Sequence, residues 1–279
     1  MGILYIDKPK GMTSFDVCFK LRKILNTKKI GHTGTLDPNA TGVMVILYDN
    51  ATKANQFLVS SRKEYVATVR LGILTDTLDI DGKIIKQKEE KMPDAELIRK
   101  TLAKYLGKSK QLPPLTSAIK VNGKKLYEYQ RQGIEVQIPL RDIEVKDIEL
   151  LDVRDDEFVI RCNVSSGTYI RALTRDILDD LGVIGALSEL RRTSIDGIDV
   201  KDCQKLEELT GDNLVVHSLY DVIRLYYEVY ETDNRKHIID GKRITIEGYP
   251  DQVAICCNKE VLAIYGREGN EYRCLRGLF

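Results

Sequence analysis

The sequence predicts an α+β fold: a large domain on a mixed or antiparallel sheet, followed by a small C-terminal β domain. Three observations point there. Apolar runs of strand length, alternating or rich in β-branched residues, recur from the N-terminus onward. A few well-punctuated helical stretches lie among them. The last ~55 residues change character, becoming short apolar runs separated by Gly, Asn and Pro turns. A chain of 279 residues is long enough for one large domain with a small appendage.

In order along the chain, ILYID (3–7) is a short alternating strand that Pro9 and Gly11 end in a turn. Ser14 or Asp16 then caps a helix with Val17, Leu21, Ile24 and Leu25 on one face. A glycine-rich loop, GHTGTLDPNATG (31–42), leads into VMVILYD (43–49), a continuous apolar run that reads as a buried strand. EYVATVRLGI (64–73) alternates and is β-branched, so it is another strand, and Asp81-Gly82 offers a turn before a further one. PDAELIRKTLAKYLG (93–107) has a proline start, Leu97, Leu102 and Leu106 at helical spacing, and Gly107 as its end. Residues 111–141 mix Pro-Pro, Asn-Gly, basic and tyrosyl residues, which predicts an extended insertion with a turn and one short helix. IEVKDIELLDV (143–153) and EFVIRCNVSS (157–166) are strands around an acidic turn, and TYIRALTRDILDDLG (168–182) is a helix ending at Gly182. HIIDGKRITI, VAICCN, EVLAIYGRE and YRCLRGL predict a small β-barrel or sandwich, with its boundary between Tyr226 and Asp233.

Composition excludes several classes. Apolar content of 43% and charged content of 30% fit a soluble globular chain. The formal net charge is +1, from 43 basic and 42 acidic residues, so any nucleic-acid surface has to come from local clusters. No apolar run approaches the ~18 residues of a membrane helix, and MGILYIDKPKG is charged too early for a signal peptide, so a cytoplasmic protein without a membrane partner is expected. The six cysteines form no C-x-x-C pair and the three histidines no H-E-x-x-H spacing, which predicts free thiols and no metal site.

The glycine-rich loop lacks the Lys-Ser/Thr of a P-loop and the G-x-G-x-x-G of a dinucleotide site. Locally, Asp37-Pro38 and Asn39 suit a plain surface turn. Its place between a helix and a very apolar strand favours function instead, because loops held by a rigid sheet often carry it.

GHTGTLDPNATG closely resembles the catalytic signature of the TruB-type tRNA pseudouridine synthases, and ILYIDKPKGMTSFDV resembles their N-terminal segment. The similarity continues, in the family's order, through KEYVATVRLG (63–72), PPLTSAIKVNGKKLYEYQRQGIEV (113–136), SSGTYIRALTRDI (165–177) and LSELRRT (187–193). It implies a pseudouridine synthase catalytic domain over 1–228 with an RNA-gripping insertion about 108–145, and a PUA-like RNA-binding domain over 229–279. Two positions depart from the pattern: Thr116, where members commonly carry an aromatic, and Gln130, where they commonly carry alanine. Both bear on the packing of the insertion.

The activity implied is conversion of one uridine in the tRNA T-loop to pseudouridine, with base flipping and no cofactor. The N1–C1′ bond breaks, the uracil turns, and the ring rejoins through C5. Asp37 is implied as the essential carboxylate, acting as a nucleophile or as the acid/base that opens the sugar. Tyr65 is implied as the base-stacking tyrosine and Arg171 as the guanidinium beside the aspartate, which holds it ionised. Tyr169 and Leu190 would line the pocket, and His32 would pack among flipped nucleotides. Taken singly, these residues also read as a core tyrosine, a surface ion pair or a core leucine. Tyr169 and Arg171 share a face only if that stretch begins extended.

Local charge fits an RNA partner. Lys8, Lys10, Lys20, Arg22, Lys23, Lys28 and Lys29 face only Asp7 and Asp16 before the loop, while Lys120, Lys124, Lys125 and Arg131 interleave with Tyr127 and Tyr129. From these, Lys8, Lys120, Lys124 and Tyr127 are expected to contact a tRNA T stem-loop, bound by a monomer. A pseudouridine synthase acting on another RNA within a guide complex and a non-catalytic tRNA chaperone stand as alternatives.

Overall fold

The structure, a computed structural model, describes residues 1–58 and 61–279. They group into two compact units, Met1–Ser60 with Asp196–Phe279, and Ser61–Ile195. Among the described residues no helix is long and apolar enough to cross a membrane, and all six cysteines are free.

The first unit opens with β1 (Gly2–Lys8), where Ile3, Leu4 and Ile6 are wholly buried. Helix α1 (Ser14–Leu25) is capped by Thr13 and not by Ser14 or Asp16. The Asp16 N–H donates to the Thr13 hydroxyl at 3.1 Å, and the Thr13 N–H donates to the Asp16 carboxylate at 2.8 Å. This reciprocal capping box places the cap one residue before Ser14 and three before Asp16, and leaves the Ser14 hydroxyl for another task. β2 (Ile30–His32) and β1 both lie antiparallel on β3 (Thr41–Tyr48), whose Gly42–Leu47 are all buried, as the continuous apolar run predicts.

The second unit is built on β4 (Arg62–Leu71). A small hairpin, β5 (Ile73–Thr75) with β6 (Ile84–Gln87), precedes helix α2 (Ala95–Ala103). This helix buries Ile98, Thr101 and Leu102, while Leu97 and Leu106 are exposed. The buried stripe thus runs one residue out of phase with the leucine spacing, and Gly107, expected to end the helix, starts β7 (Gly107–Gln111). In the insertion, β8 (Lys120–Val121) and β9 (Lys124–Lys125) form a hairpin around Asn122-Gly123, both at positive φ (50° and 84°), as a tight primed turn requires. The one short helix, α3 (Leu126–Gln132), follows.

β10 (Arg141–Val153), β11 (Glu157–Ser165), α4 (Ile170–Leu181) and β12 (Gly185–Ile195) complete the unit. Its strands run in the order β12, β4, β11, β10, β7, every pair antiparallel. Since β7 pairs with the start of β10, the part standing off the sheet is 112–140.

Returning to the first unit, β13 (Ile198–Asp199) precedes β14 (Gln204–Lys205), which pairs parallel with β1 and makes the strand set mixed. Helix α5 (Leu219–Ile223) follows. The C-terminal stretch contains β15 (Val229–Glu231), α6 (Arg235–Ile239), β16 (Gln252–Cys257), β17 (Glu260–Glu268) and β18 (Glu271–Gly277). The four strands form one sheet in chain order, with a core that includes Ile238, Val253, Ile255, Leu262, Tyr265 and Tyr272. The run beginning at His237, expected as a strand, is instead the end of α6: the Asn234 side chain caps it through the His237 N–H at 3.2 Å, and Ile238 is its buried contact.

Candidate active site

Asp37 lies in the loop between β2 and β3 and is half-buried. Its carbonyl accepts from the Ala40 N–H at 3.1 Å, so 37–40 is the turn that Pro38 and Asn39 suggested. Three groups fix this turn. The Ser14 hydroxyl accepts from the Leu36 N–H at 2.8 Å and donates to the Leu36 carbonyl at 3.1 Å, both bonds buried. On the far side of Asp37, the Pro38 carbonyl accepts from the Gly11 N–H at 2.9 Å and from Lys8 Nζ at 2.9 Å.

Lys8 requires a correction. Expected among the solvent-facing basic residues that contact RNA, it is 0% exposed. Its ammonium donates to the carbonyls of Pro9 (2.9 Å), Met12 (2.6 Å) and Pro38 (2.9 Å). An ammonium has three donors, and a buried one demands acceptors. Lys8 therefore anchors the Asp37 loop to the segment after β1. The neighbouring Lys10, Lys23, Lys28 and Lys29 do face solvent, with Lys23 and Arg22 lying 5.0 and 5.6 Å from the exposed rings of Phe19 and Phe15. His32 ends β2 and is half-buried.

In the second unit, Tyr65 sits on β4 and is buried. It pairs with Cys162 of β11 and with Arg192 of β12, and Leu190 lies opposite Ala67 two residues along. Alternation puts Tyr65, Leu190, Cys162 and Arg192 on one face of the sheet. The register thus brings Tyr65 and Leu190 together. Burial, with smaller contributions from Glu64 and Asp147, pushes the Cys162 thiol up to about 12, so it stays protonated and is no nucleophile at neutral pH.

Arg171 is in the first turn of α4 and only 5% exposed. Its guanidinium donates to the Thr77 carbonyl (2.9 Å), the Thr116 hydroxyl (2.6 Å) and the Thr116 carbonyl (3.2 Å). Asp79 Oδ2 is 3.6 Å from Arg171 Nη1. Between the two partners of the 77–79 segment sits Leu78 with φ 67°, a left-handed backbone that bulky residues rarely adopt. The turn is locked regardless: the Leu78 carbonyl accepts from the Leu187 N–H at 3.0 Å, and Thr77 Oγ1 donates to Asp79 Oδ1 at 2.6 Å. Asp79 is a partner of Arg171 that sequence reading missed, because DTLDIDG looks like an acidic turn.

Tyr169 is the N-cap of α4 with extended backbone, φ −96° and ψ 113°, while Arg171 is already helical, so strand periodicity does not align them. The cap lacks a side-chain acceptor of its own. Gln111 supplies one by accepting from the Tyr169 N–H at 2.9 Å and donating to its carbonyl at 3.0 Å. In the insertion, Lys120 and Lys124 are exposed, and Tyr127 is half-buried, with Lys125 and Arg131 each 5.4 Å from its ring centre. These cations on aromatic faces form a surface suited to phosphates and unpaired bases.

Residues 22–170 match the family described as TruB family pseudouridylate synthase, N-terminal domain. Over 98% of its length the chain is 38% identical to a protein of Lactobacillus acidophilus called tRNA pseudouridine synthase B, covering 96% of that protein. A protein of the same name from Alkaliphilus oremlandii is 42% identical over 87% of this chain and 82% of its own. Among solved structures, the crystal structure of a Cbf5-Nop10-Gar1 complex contains a chain that superposes with a TM-score of 0.74 at 24% identity, covering 100% of this chain and 85% of that one. That likeness is one of fold.

Proposed function

The chain belongs to the TruB family of pseudouridine synthases, and from that premise we propose that it is an isomerase converting one uridine in the T-loop of tRNA to pseudouridine. The rearrangement breaks N1–C1′, forms C5–C1′, and exchanges the C5 proton for one on N1. Nothing is consumed, so no cofactor is called for. Asp37 is the carboxylate that meets the reacting nucleotide. Tyr65 stacks on the uracil, Leu190 and Tyr169 shape its pocket, and Arg171 is the fixed cation that keeps a carboxylate ionised. His32 packs against neighbouring nucleotides.

The observation that carries this assignment is the guanidinium of Arg171. A cation only 5% exposed is costly to bury, and here it is built in by two carbonyls, one hydroxyl and Asp79. An apolar side chain could have filled the position, and a buried guanidinium held in GTYIRAL, a stretch that resembles the family's pattern, supports a part in the chemistry.

Lys120, Lys124 and Tyr127 grip the RNA from the insertion, and Lys8 is withdrawn from that set. We take 1–228 as the catalytic domain and 229–279 as a PUA-like RNA-binding domain, on the support of the separate four-stranded sheet and core of the latter. A monomer acting in the cytoplasm completes the reading.

The test is to incubate purified protein with unmodified tRNA and assay for a pseudouridine-specific adduct. Conversion of a bare T stem-loop is expected, and unmodified RNA at the end sinks the proposal. Conversion only with a guide RNA and partner proteins favours the guide-complex alternative. Asp37→Asn should abolish turnover and keep tRNA binding; turnover at the native rate removes Asp37 from the mechanism.

A further inference from the structure

The strip that enters the insertion is fastened to the start of α4 at three successive points. Gln111 brackets the Tyr169 peptide with two hydrogen bonds. The Leu112 carbonyl accepts from Arg175 Nη2 at 3.2 Å. Thr116 then closes on Arg171 with its hydroxyl at 2.6 Å and its carbonyl at 3.2 Å. Immediately beyond Thr116, the Ser117 carbonyl accepts from the Tyr127 N–H at 3.2 Å and the Ile119 carbonyl from the Leu126 N–H at 2.8 Å. The first turn of α3, which carries Tyr127, therefore hangs from the residues adjoining Thr116.

From this connectivity we propose that Thr116 is a positioning residue for Arg171, and that through it the placement of the RNA-gripping insertion sets the orientation of the guanidinium. The inference rests on the reading of Arg171 given above. The Thr116 hydroxyl lies 2.6 Å from Arg171 Nη1 and sits on the insertion, where a side-chain change can delete it. Thr77 contributes a backbone carbonyl, and Asp79 is a charge 3.6 Å away that attracts without fixing the angle. A planar guanidinium needs acceptors along its N–H directions to be held in one orientation. Nη1 has two N–H groups, which the Thr77 carbonyl and Thr116 hydroxyl use together. Without the hydroxyl one of them loses its acceptor in a buried site, and the guanidinium is held less firmly in its plane.

The experiment uses the full chain and unmodified tRNA, comparing wild type with Thr116→Val and Thr116→Ser in single-turnover conversion and in tRNA binding. Valine keeps the shape and removes the acceptor; serine restores it. The expected result is a single-turnover rate lowered about tenfold in Thr116→Val, equivalent to about 1.4 kcal/mol, with Kd for tRNA within about twofold of wild type and serine recovering most of the rate. A native rate in Thr116→Val overturns the proposal. So does an equal loss in valine and serine, or a loss confined to Kd, since either assigns Thr116 to packing or to RNA contact. Arg171→Lys separates this proposal from the reading beneath it. If lysine at 171 leaves the rate intact, the role of Arg171 fails and Thr116 fails with it. If lysine abolishes the rate while valine at 116 does not, only the Thr116 inference is lost.

Discussion

The Asp37 loop and the 112–140 insertion are both irregular stretches between strands, but they are held in opposite ways. The loop is short and gripped from inside: Ser14 brackets Leu36 on one side of Asp37, and Lys8 and Gly11 converge on Pro38 on the other. The insertion exposes Lys120, Lys124 and every residue of 131–135, and its basic groups rest on Tyr127 and Tyr129 at 5.4 to 5.9 Å. A reacting group has to be within a fraction of an ångström of its place, whereas a binding arm gains from adjusting to the RNA surface. On the assignment of Asp37 proposed above, the more firmly bonded stretch is the one where bonds are to change. Substitution in the loop should cost stability and rate together, and substitution among the exposed basic residues and Tyr127 at the tip of the insertion, away from Thr116, should cost affinity alone.

The severest challenge to that contrast is Lys8→Met, which preserves volume while removing a fully buried ammonium from the three carbonyls it holds together. We expect a loss on the order of 3 kcal/mol or more in a urea-unfolding experiment, with turnover falling well beyond what the unfolded fraction explains. A change below about 0.5 kcal/mol, the range of ordinary surface substitutions, would show that the loop is not anchored there. Gly82→Ala extends the idea to the turn that presents Asp79. A Cβ at Gly82 would lie 2.2 Å from Thr77 Oγ1 and 2.7 Å from Asp76 Oδ1, both already committed, to Asp79 at 2.6 Å and to the Lys83 N–H at 2.8 Å. Overpacking of this kind costs about 1–3 kcal/mol, and the shift should appear as a lower single-turnover rate at unchanged tRNA affinity. If thermal stability and rate both stay native, the turn accommodates change and the rigidity stops at the Asp37 loop.

These positions also mark how far the sequence could be read. The strands at 43–48 and 64–71, the Asn122-Gly123 hairpin, α3 and the Gly182 helix end are legible because their signals are local: apolar periodicity, turn residues and a left-handed cap. Strand 185–195 is not, because Glu189, Arg191 and Arg192 break its apolar run, and only the facing strand shows that Arg192 is buried. Lys8 reads as one more surface cation, since the carbonyl that buries it belongs to Pro38, thirty residues on. The site is legible at Asp37, Tyr65 and Arg171 only through resemblance. Asp79 and Thr116, partners of Arg171, are brought to it by tertiary structure alone.

For the insertion, the contrast predicts an effect on affinity without one on stability. Lys124→Ala combined with Tyr127→Ala should weaken tRNA binding about tenfold, and Lys124→Ala alone should lower the slope of log Kd against log salt by about one. The unfolding midpoint should stay put, because Lys124 is exposed and its contacts are a 3.4 Å bond to Gln132 and the face of Tyr129 at 5.9 Å. A midpoint that drops with the affinity would make the insertion as structural as the loop and erase the distinction.

The smallest effect concerns the helix that carries Ser14. Asp16 is the other half of the capping box, and the Thr13 hydroxyl, followed by the Thr13 N–H, holds its carboxyl below the ordinary carboxylate range. A carboxyl whose folded value is depressed binds fewer protons folded than unfolded. Its stabilisation is therefore complete above the unfolded value of about 3.9 and is lost as the pH falls through the lower folded one. Because Asp16 is exposed, the contribution is small and screened by salt. Asp16→Asn should consequently lower the unfolding midpoint slightly at neutral pH, and the gap between the two proteins should close as the pH is taken down to about 3 and below. A gap that is constant across that range would mean that the cap works through its hydrogen-bond geometry alone. The carboxylate charge would then have no part in starting the helix from which Ser14 holds the Asp37 loop.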